Sequence, residues 1–185
     1  MNIAVYSGSF NPLHIGHLAI MKHMTEDAGF DYVYLIVSPK NPLKDGISSA
    51  TGQERYEAAV KAVCRHPELK VWVDDIELQM PEPHYTIRTL DALKKREPEN
   101  SFTLVIGADN LADIRRWKDY RRILKEYGAA VFPRSGYDLE TVKAELILED
   151  TEYRISLLNA EMVDISSTII REAIASGEDA SMWLM

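Results

Sequence analysis

The sequence predicts an α/β protein, a Rossmann-like doubly wound parallel sheet in a three-layer α/β/α arrangement. Three observations carry this. Strand-like apolar runs alternate with stretches of helical periodicity along the whole chain. Two of those runs, 32–38 and 102–107, are nearly continuous in apolar residues, as strands covered on both faces are. The first run leads through a glycine-containing loop directly into a helix-like stretch, the local order that opens nucleotide-binding α/β units.

The elements follow in order. A first strand covers 3–7, with Ile3-Ala4-Val5-Tyr6 at its centre, and the loop Gly8-Ser9-Phe10-Asn11-Pro12-Leu13-His14-Ile15-Gly16-His17 connects it to a helix. The spacing puts His14 and His17 on one face of that helix's first turn. After the strand at 32–38 comes a proline-stiffened loop, Ser38 to Lys44. Thr51 and Glu54 form a capping box ahead of a helix whose inner stripe is Tyr56, Ala59, Val60, Val63 and Cys64, so Cys64 is expected in the core. A third strand covers 71–77, and a second proline loop runs from Met80 to Tyr85. The strand at 102–107 ends in Gly107-Ala108-Asp109-Asn110. Tyr120, Ile123, Leu124 and Tyr127 repeat the helical stripe, with Gly128 as its stop. Strands at 129–133 and 155–159 follow, and a last helix starting near Ser167 packs through Ile170, Ala173 and Ile174. Right-handed crossovers imply a doubly wound sheet, and if its order is 3-2-1-4-5, strands one and four are neighbours. No repeat, low-complexity stretch or linker divides the chain, which predicts one domain over 1–185.

Composition narrows the classes of function. Of 185 residues, 46% are hydrophobic and 27% charged, which fits a globular protein, and no apolar run reaches membrane-spanning length. The amino terminus enters a strand at once, without a basic region or a cleavage signature, so no signal peptide is expected. One cysteine cannot form an internal disulfide, which favours the cytoplasm. A net charge of −8 argues against long nucleic acids as partners but leaves room for a small anionic substrate held by local cations. Lys40, Lys44, Arg134 and Arg171 are the candidates for that role, each near a strand end or helix start.

In an open parallel sheet the ligand lies beyond the carboxyl ends of the strands, at the point where the strand order reverses. The loops after strands one and four therefore share a crevice. Asp109 is placed to accept a hydrogen bond from a ribose or to cap the helix it precedes. The first loop is neither the Gly-x-Gly-x-x-Gly fingerprint of dehydrogenases nor a Walker loop. His14-x-x-His17 lacks the neighbouring ligands that would complete a zinc site, so no protein-held metal is expected. Near the carboxyl end, Ile165-Ser166-Ser167-Thr168-Ile169-Ile170-Arg171 sets hydroxyls and backbone amides at a helix start, with an arginine one turn on that can clamp a phosphate.

The first loop together with Ile-Ser-Ser-Thr-x-x-Arg, about 150 residues later in the chain, resembles the nucleotidyltransferase superfamily marked by His-x-Gly-His and Ile-Ser-Ser-Thr-x-x-Arg. His84-Tyr85-Thr86, Ile106-Gly107-Ala108-Asp109, Arg116-Trp117-Lys118-Asp119-Tyr120 and Arg134-Ser135-Gly136-Tyr137 are similar to segments of the bacterial nicotinate mononucleotide adenylyltransferase family within it. The similarity runs from Met1 to about Ser176. The chain departs from that pattern at Ser7-Gly8-Ser9, where Gly-Gly-Thr is common, at Lys44, where a histidine is common, and at Met185, before an expected extra C-terminal helix.

The resemblance implies transfer of AMP from ATP, delivered with Mg²⁺, to nicotinate mononucleotide. It implies that His14, His17 and Arg171 act on the phosphates and the transferring group. Gly8, Ser9, Phe10, Ser167 and Thr168 would hold phosphates, Ile165 would border the adenine, and Gly107 and Asp109 would meet the ribose. It further implies that Trp117 stacks on the pyridine ring, that Thr86 receives its carboxylate, and that Lys44 and Arg134 hold the mononucleotide phosphate. The alternatives are an enzyme for nicotinamide mononucleotide, one for phosphopantetheine, or a nucleotide-binding module without catalysis.

Overall fold

A computed structural model of the chain describes residues 1–39, 50–163 and 165–185. Lys40 and Lys44 lie outside the described residues. Six strands make one parallel sheet: β1 (Asn2–Gly8), β2 (Tyr32–Val37), β3 (Val71–Asp74), β4 (Ser101–Gly107), β5 (Ala129–Phe132) and β6 (Ile155–Leu157). Their order is β3-β2-β1-β4-β5-β6, the predicted order with the last strand added beyond β5. The helices are α1 (Ile15–Glu26), α2 (Gly52–Cys64), α3 (Ile76–Gln79), α4 (Thr86–Arg96), α5 (Ala108–Ala112), α6 (Tyr120–Arg122), α7 (Leu139–Glu149) and α8 (Ser167–Ala175). Among the described residues no helix is long and apolar enough to cross a membrane.

The continuous apolar runs are explained by two cores. Along β1, Ile3 and Val5 join a cluster with Leu90, Leu93, Leu104, Leu124 and Leu146, while Ala4 and Tyr6 join one with Met21, Met24, Leu35, Ala59 and Val105. Successive side chains of a strand point to opposite faces, so a sheet wrapped on both sides needs apolar residues at every position. The same wrapping leaves only the strand ends and their loops to meet a ligand.

Several local expectations change. β3 ends at Asp74 and not at 77: the Asp74 carboxylate is buried, pairs with both terminal nitrogens of Arg96 and accepts from the Ile76 amide, which turns the chain into α3. β5 ends at Phe132 and β6 at Leu157. The Tyr120–Tyr127 segment is a short helix followed by a widened turn, in which the Gly128 amide reaches back five residues to the Ile123 carbonyl. Cys64 is exposed, because α2 buries Arg55, Ala59 and Ala62, a stripe rotated from the predicted one. Ile174 is 53% exposed, whereas Ile170 and Ala173 pack as expected.

Candidate active site

The crevice opens at the carboxyl ends of β1, β4 and β5, has a volume of about 730 Å³, and is lined by both motifs. That size suits one small ligand or two ligands bound in contact.

The first wall is the loop after β1. His14 is not on the first turn of α1 but at its N-cap, with extended backbone. Its Nδ1 accepts from the Gly16 amide at 3.2 Å, and His17 Nδ1 accepts from the His14 amide at 3.1 Å. This is a capping box made of two imidazoles, and it satisfies backbone donors that a helix start leaves without partners. The rings stack with centroids 3.7 Å apart. Gly16 leaves room for the His14 ring, since a Cβ there would stand 3.0 Å from it and press it aside. A nitrogen that accepts from an amide carries no proton, so each neutral ring keeps its proton on Nε2 as a donor. Burial, aided by repulsion from Arg134, lowers the His14 pKa to about 4. Burial holds His17 well below the ordinary histidine value, with His14 and Arg134 adding to the effect. Near neutral pH the pair is therefore uncharged. Phe10, at φ 45°, is buried edge-on against Tyr6 and His17 and fixes the loop from below.

The second wall joins the far end of the chain to that loop. Ser166 caps α8 by accepting from the Ile169 amide. Ser167 Oγ donates to the Pro12 carbonyl at 3.0 Å, and Arg171 donates to the Asn11 carbonyl at 2.7 Å and to Thr168 Oγ1 at 3.2 Å. Two segments some 150 residues apart are thus bound together over a single opening. Ile165 lines it beside the Gly16 backbone.

The third wall follows β4 and β5. Gly107 occupies the N-cap of α5, so Asp109 lies inside the helix and does not cap it. Asp109 Oδ1 is buried and has no hydrogen-bond partner in the structure; Arg134 Nε faces it at 3.8 Å. A Cβ on Gly107 would come within 2.6 Å of that oxygen. The Arg134 guanidinium also covers the Phe132 ring at 5.3 Å. It therefore stands beside Asp109 and close enough to the histidines to depress their pKa values.

Thr86 opens α4, and Trp117 is half-buried against the core that α4 shares; both line the crevice. Tyr85, the N-cap of α4, makes no side-chain cap, so the first amides of that helix await an acceptor. Trp72, by contrast, is 61% exposed on the edge strand, and Trp183 packs under α8.

Among the lining residues that were not predicted, one is both charged and buried. Arg55 on α2 is buried and donates to the Ser9 carbonyl at 2.6 Å and the Ser38 carbonyl at 2.8 Å. The available signal was its place directly after the Thr51–Glu54 capping box, four residues before buried Ala59.

Comparison with known proteins agrees with this geometry. A family model described as cytidylyltransferase-like matches residues 5–173. A Flavobacterium johnsoniae protein named "probable nicotinate-nucleotide adenylyltransferase" is 36% identical over 97% of this chain and 89% of its own length. Its Porphyromonas gingivalis namesake is 38% identical over the whole chain and 89% of the relative. A Plasmodium falciparum nicotinic acid mononucleotide adenylyltransferase complexed with NaAD has the same fold, with TM-score 0.77 at 17% identity over 97% of this chain and 87% of that one. With its two signature segments joined over one crevice and its sequence matched almost end to end, this chain belongs to the cytidylyltransferase-like family.

Proposed function

We propose that this chain is a nicotinate-nucleotide adenylyltransferase: it transfers AMP from ATP to nicotinate mononucleotide, giving deamido-NAD and pyrophosphate. The observation that carries the reading is the bond pair from Ser167 and Arg171 to the Pro12 and Asn11 carbonyls, which holds the α8 cluster and the two imidazoles around one opening. The names of the bacterial relatives support the acceptor.

The acceptor phosphate is already an oxyanion, so its attack needs no protein base. A phosphate oxygen bonds to the α-phosphorus of ATP as the bond to the β-phosphate bridging oxygen breaks, and pyrophosphate leaves with both electrons of that bond. The protein contributes position and charge stabilisation. His14 and His17 offer Nε2–H donors, fixed by their bonds to the backbone, to the transferring group and the ATP phosphates. Gly8, Ser9 and Phe10 present backbone to the phosphates, while Thr168 and Arg171 hold the triphosphate and Ile165 borders the adenine. Asp109 receives a ribose hydroxyl, the donor its buried oxygen lacks. Arg134, beside both Asp109 and the histidines, serves the phosphates between the two substrates. Trp117 stacks on the pyridine ring, and the amides at the start of α4 with Thr86 take its carboxylate, which favours the acid over the amide. ATP enters as its magnesium complex, the ion keeping phosphate and water ligands. The cytoplasm, where a lone cysteine stays reduced, is the compartment this reading implies.

The test is a side-by-side assay of the purified chain with Mg-ATP and nicotinate mononucleotide, nicotinamide mononucleotide or phosphopantetheine, following pyrophosphate and the adenylylated product. Deamido-NAD formed at the highest kcat/KM supports the reading. Preference for another acceptor, or ATP binding without turnover on any, overturns it.

A further inference from the structure

Arg55 is the one buried cation of the crevice wall, and it has no carboxylate partner among the described residues. Its Nη1 instead binds two carbonyls, Ser9 in the loop after β1 and Ser38 after β2. The two loops are further tied by the Ser38 amide donating to the Gly8 carbonyl at 2.9 Å and by a 2.9 Å contact between the Ser7 and Ser38 hydroxyls. Beneath Ser7 lies Glu77, also buried, whose Oε1 accepts from Ser7 Oγ at 3.4 Å and from Thr89 Oγ1 of α4 at 2.8 Å. A continuous polar chain therefore runs from α4 through Glu77, Ser7 and Ser38 to Arg55 and Ser9. Isolated buried charge is costly and is retained where something compensates it.

The first loop thus has two clamps. From one side α8 holds Asn11 and Pro12, and from the other Arg55 holds Ser9. A carbonyl pulled toward Arg55 turns the neighbouring peptide, so this clamp sets which way the loop's amides face. We infer that Arg55 is a positioning residue for the acceptor: by drawing the Ser9 and Ser38 carbonyls together it aims the Gly8–Phe10 backbone at the phosphate of the mononucleotide, and its buried charge adds long-range attraction for that phosphate. The inference rests on the reading above, in which α8 holds the triphosphate and the opposite side of the loop is left to the acceptor.

Steady-state kinetics of Arg55→Gln, Arg55→Lys and the control Ala62→Gly separate this from a purely structural role. Wild type forming deamido-NAD tests the reading itself; the variants test the inference. For R55Q the acceptor KM rises about tenfold with the ATP KM within about twofold, the scale of one lost charge-assisted contact. R55K, which keeps the charge, recovers most of that loss. A62G, on the same helix away from the crevice, lowers Tm and moves neither KM. Equal changes in both KM values for R55Q, an R55K no better than R55Q, or a Tm loss with no KM change overturns the proposal. If R55Q does not fold, Arg55→Met is read in its place: an acceptor KM raised about tenfold with the ATP KM constant supports the proposal, and parallel or absent shifts overturn it.

Discussion

On the α1 side of the crevice, His14 and His17 both have Nδ1 engaged by backbone amides, and the His14 ring lies close to Gly16. On the β4–β5 side, a carboxylate oxygen is buried with no hydrogen-bond partner, and the arginine facing it is too distant for one. The first wall is finished before any ligand arrives; its donors are fixed in direction and need no rearrangement during the reaction, which is how electrostatic stabilisation of a transition state is made large. The β4–β5 wall is left unfinished. A buried unpaired acceptor is unfavourable by about 1–3 kcal/mol, and a ligand hydroxyl that satisfies it recovers that energy as affinity. Under the proposed function the contrast assigns a division of labour, the α1 wall to the rate and the β4–β5 wall to ATP binding.

Substitutions can break this contrast. The largest effect is expected from His17→Ala, which removes one fixed donor and half of the imidazole capping box; kcat falls by about 10²–10³, with a smaller change in the ATP KM. Turnover near wild type would show that the α1 wall does not act on the reaction. Gly107→Ala comes next. The added methyl would contact Asp109 Oδ1 at 2.6 Å and the Phe132 ring at 3.1 Å, so Asp109 must move. Overpacking of this kind costs about 1–3 kcal/mol, and the expected signature is an ATP KM raised about tenfold with kcat nearly kept. A kcat loss equal to that of H17A would erase the distinction between the walls.

Acid sharpens it further. His14 titrates at about 4 in the fold against 6.5 when free, and His17 is lowered as well. A histidine depressed in the native state leaves the unfolded chain binding more protons between those values. Stability is therefore fully present above about pH 6.5 and falls as pH drops toward 4. Urea unfolding across that window checks it, and a double variant lacking both rings should flatten the slope. The smallest effect belongs to Thr51→Ala, at the cap of α2, where the Glu54 amide loses its acceptor. About 1 kcal/mol of stability is expected to go, with kinetics unchanged.

Much of this was legible in the residues. The strands that are nearly continuous in apolar residues, β2 and β4, could be read because burial on both faces leaves little polar alternation to confuse them. The Thr51–Glu54 cap and the Gly128 stop were local signals and stand where expected. The crevice followed from strand order alone. What was not legible depends on partners distant in the chain. Asp74 ends β3 because Arg96 and Ile76 claim its carboxylate. The α2 stripe is rotated because Arg55 turns inward to reach two loop carbonyls, which leaves Cys64 outside. His14 sits before the helix because its ring accepts from Gly16, a geometry that residue spacing does not encode. Ile174 was assigned inward by period, but Ala173 and Ile170 already fill the contact under α8.

The uncharged state of the stacked histidines has a consequence for the medium in which the protein works. Free anions such as chloride or inorganic phosphate are drawn to fixed cations at any orientation. A pair of neutral N–H groups held by the backbone offers them little unless several oxygens fall into place at once. The histidine pair thereby adds no cation of its own to attract the salts around it and keeps its donors for a ligand of the right shape.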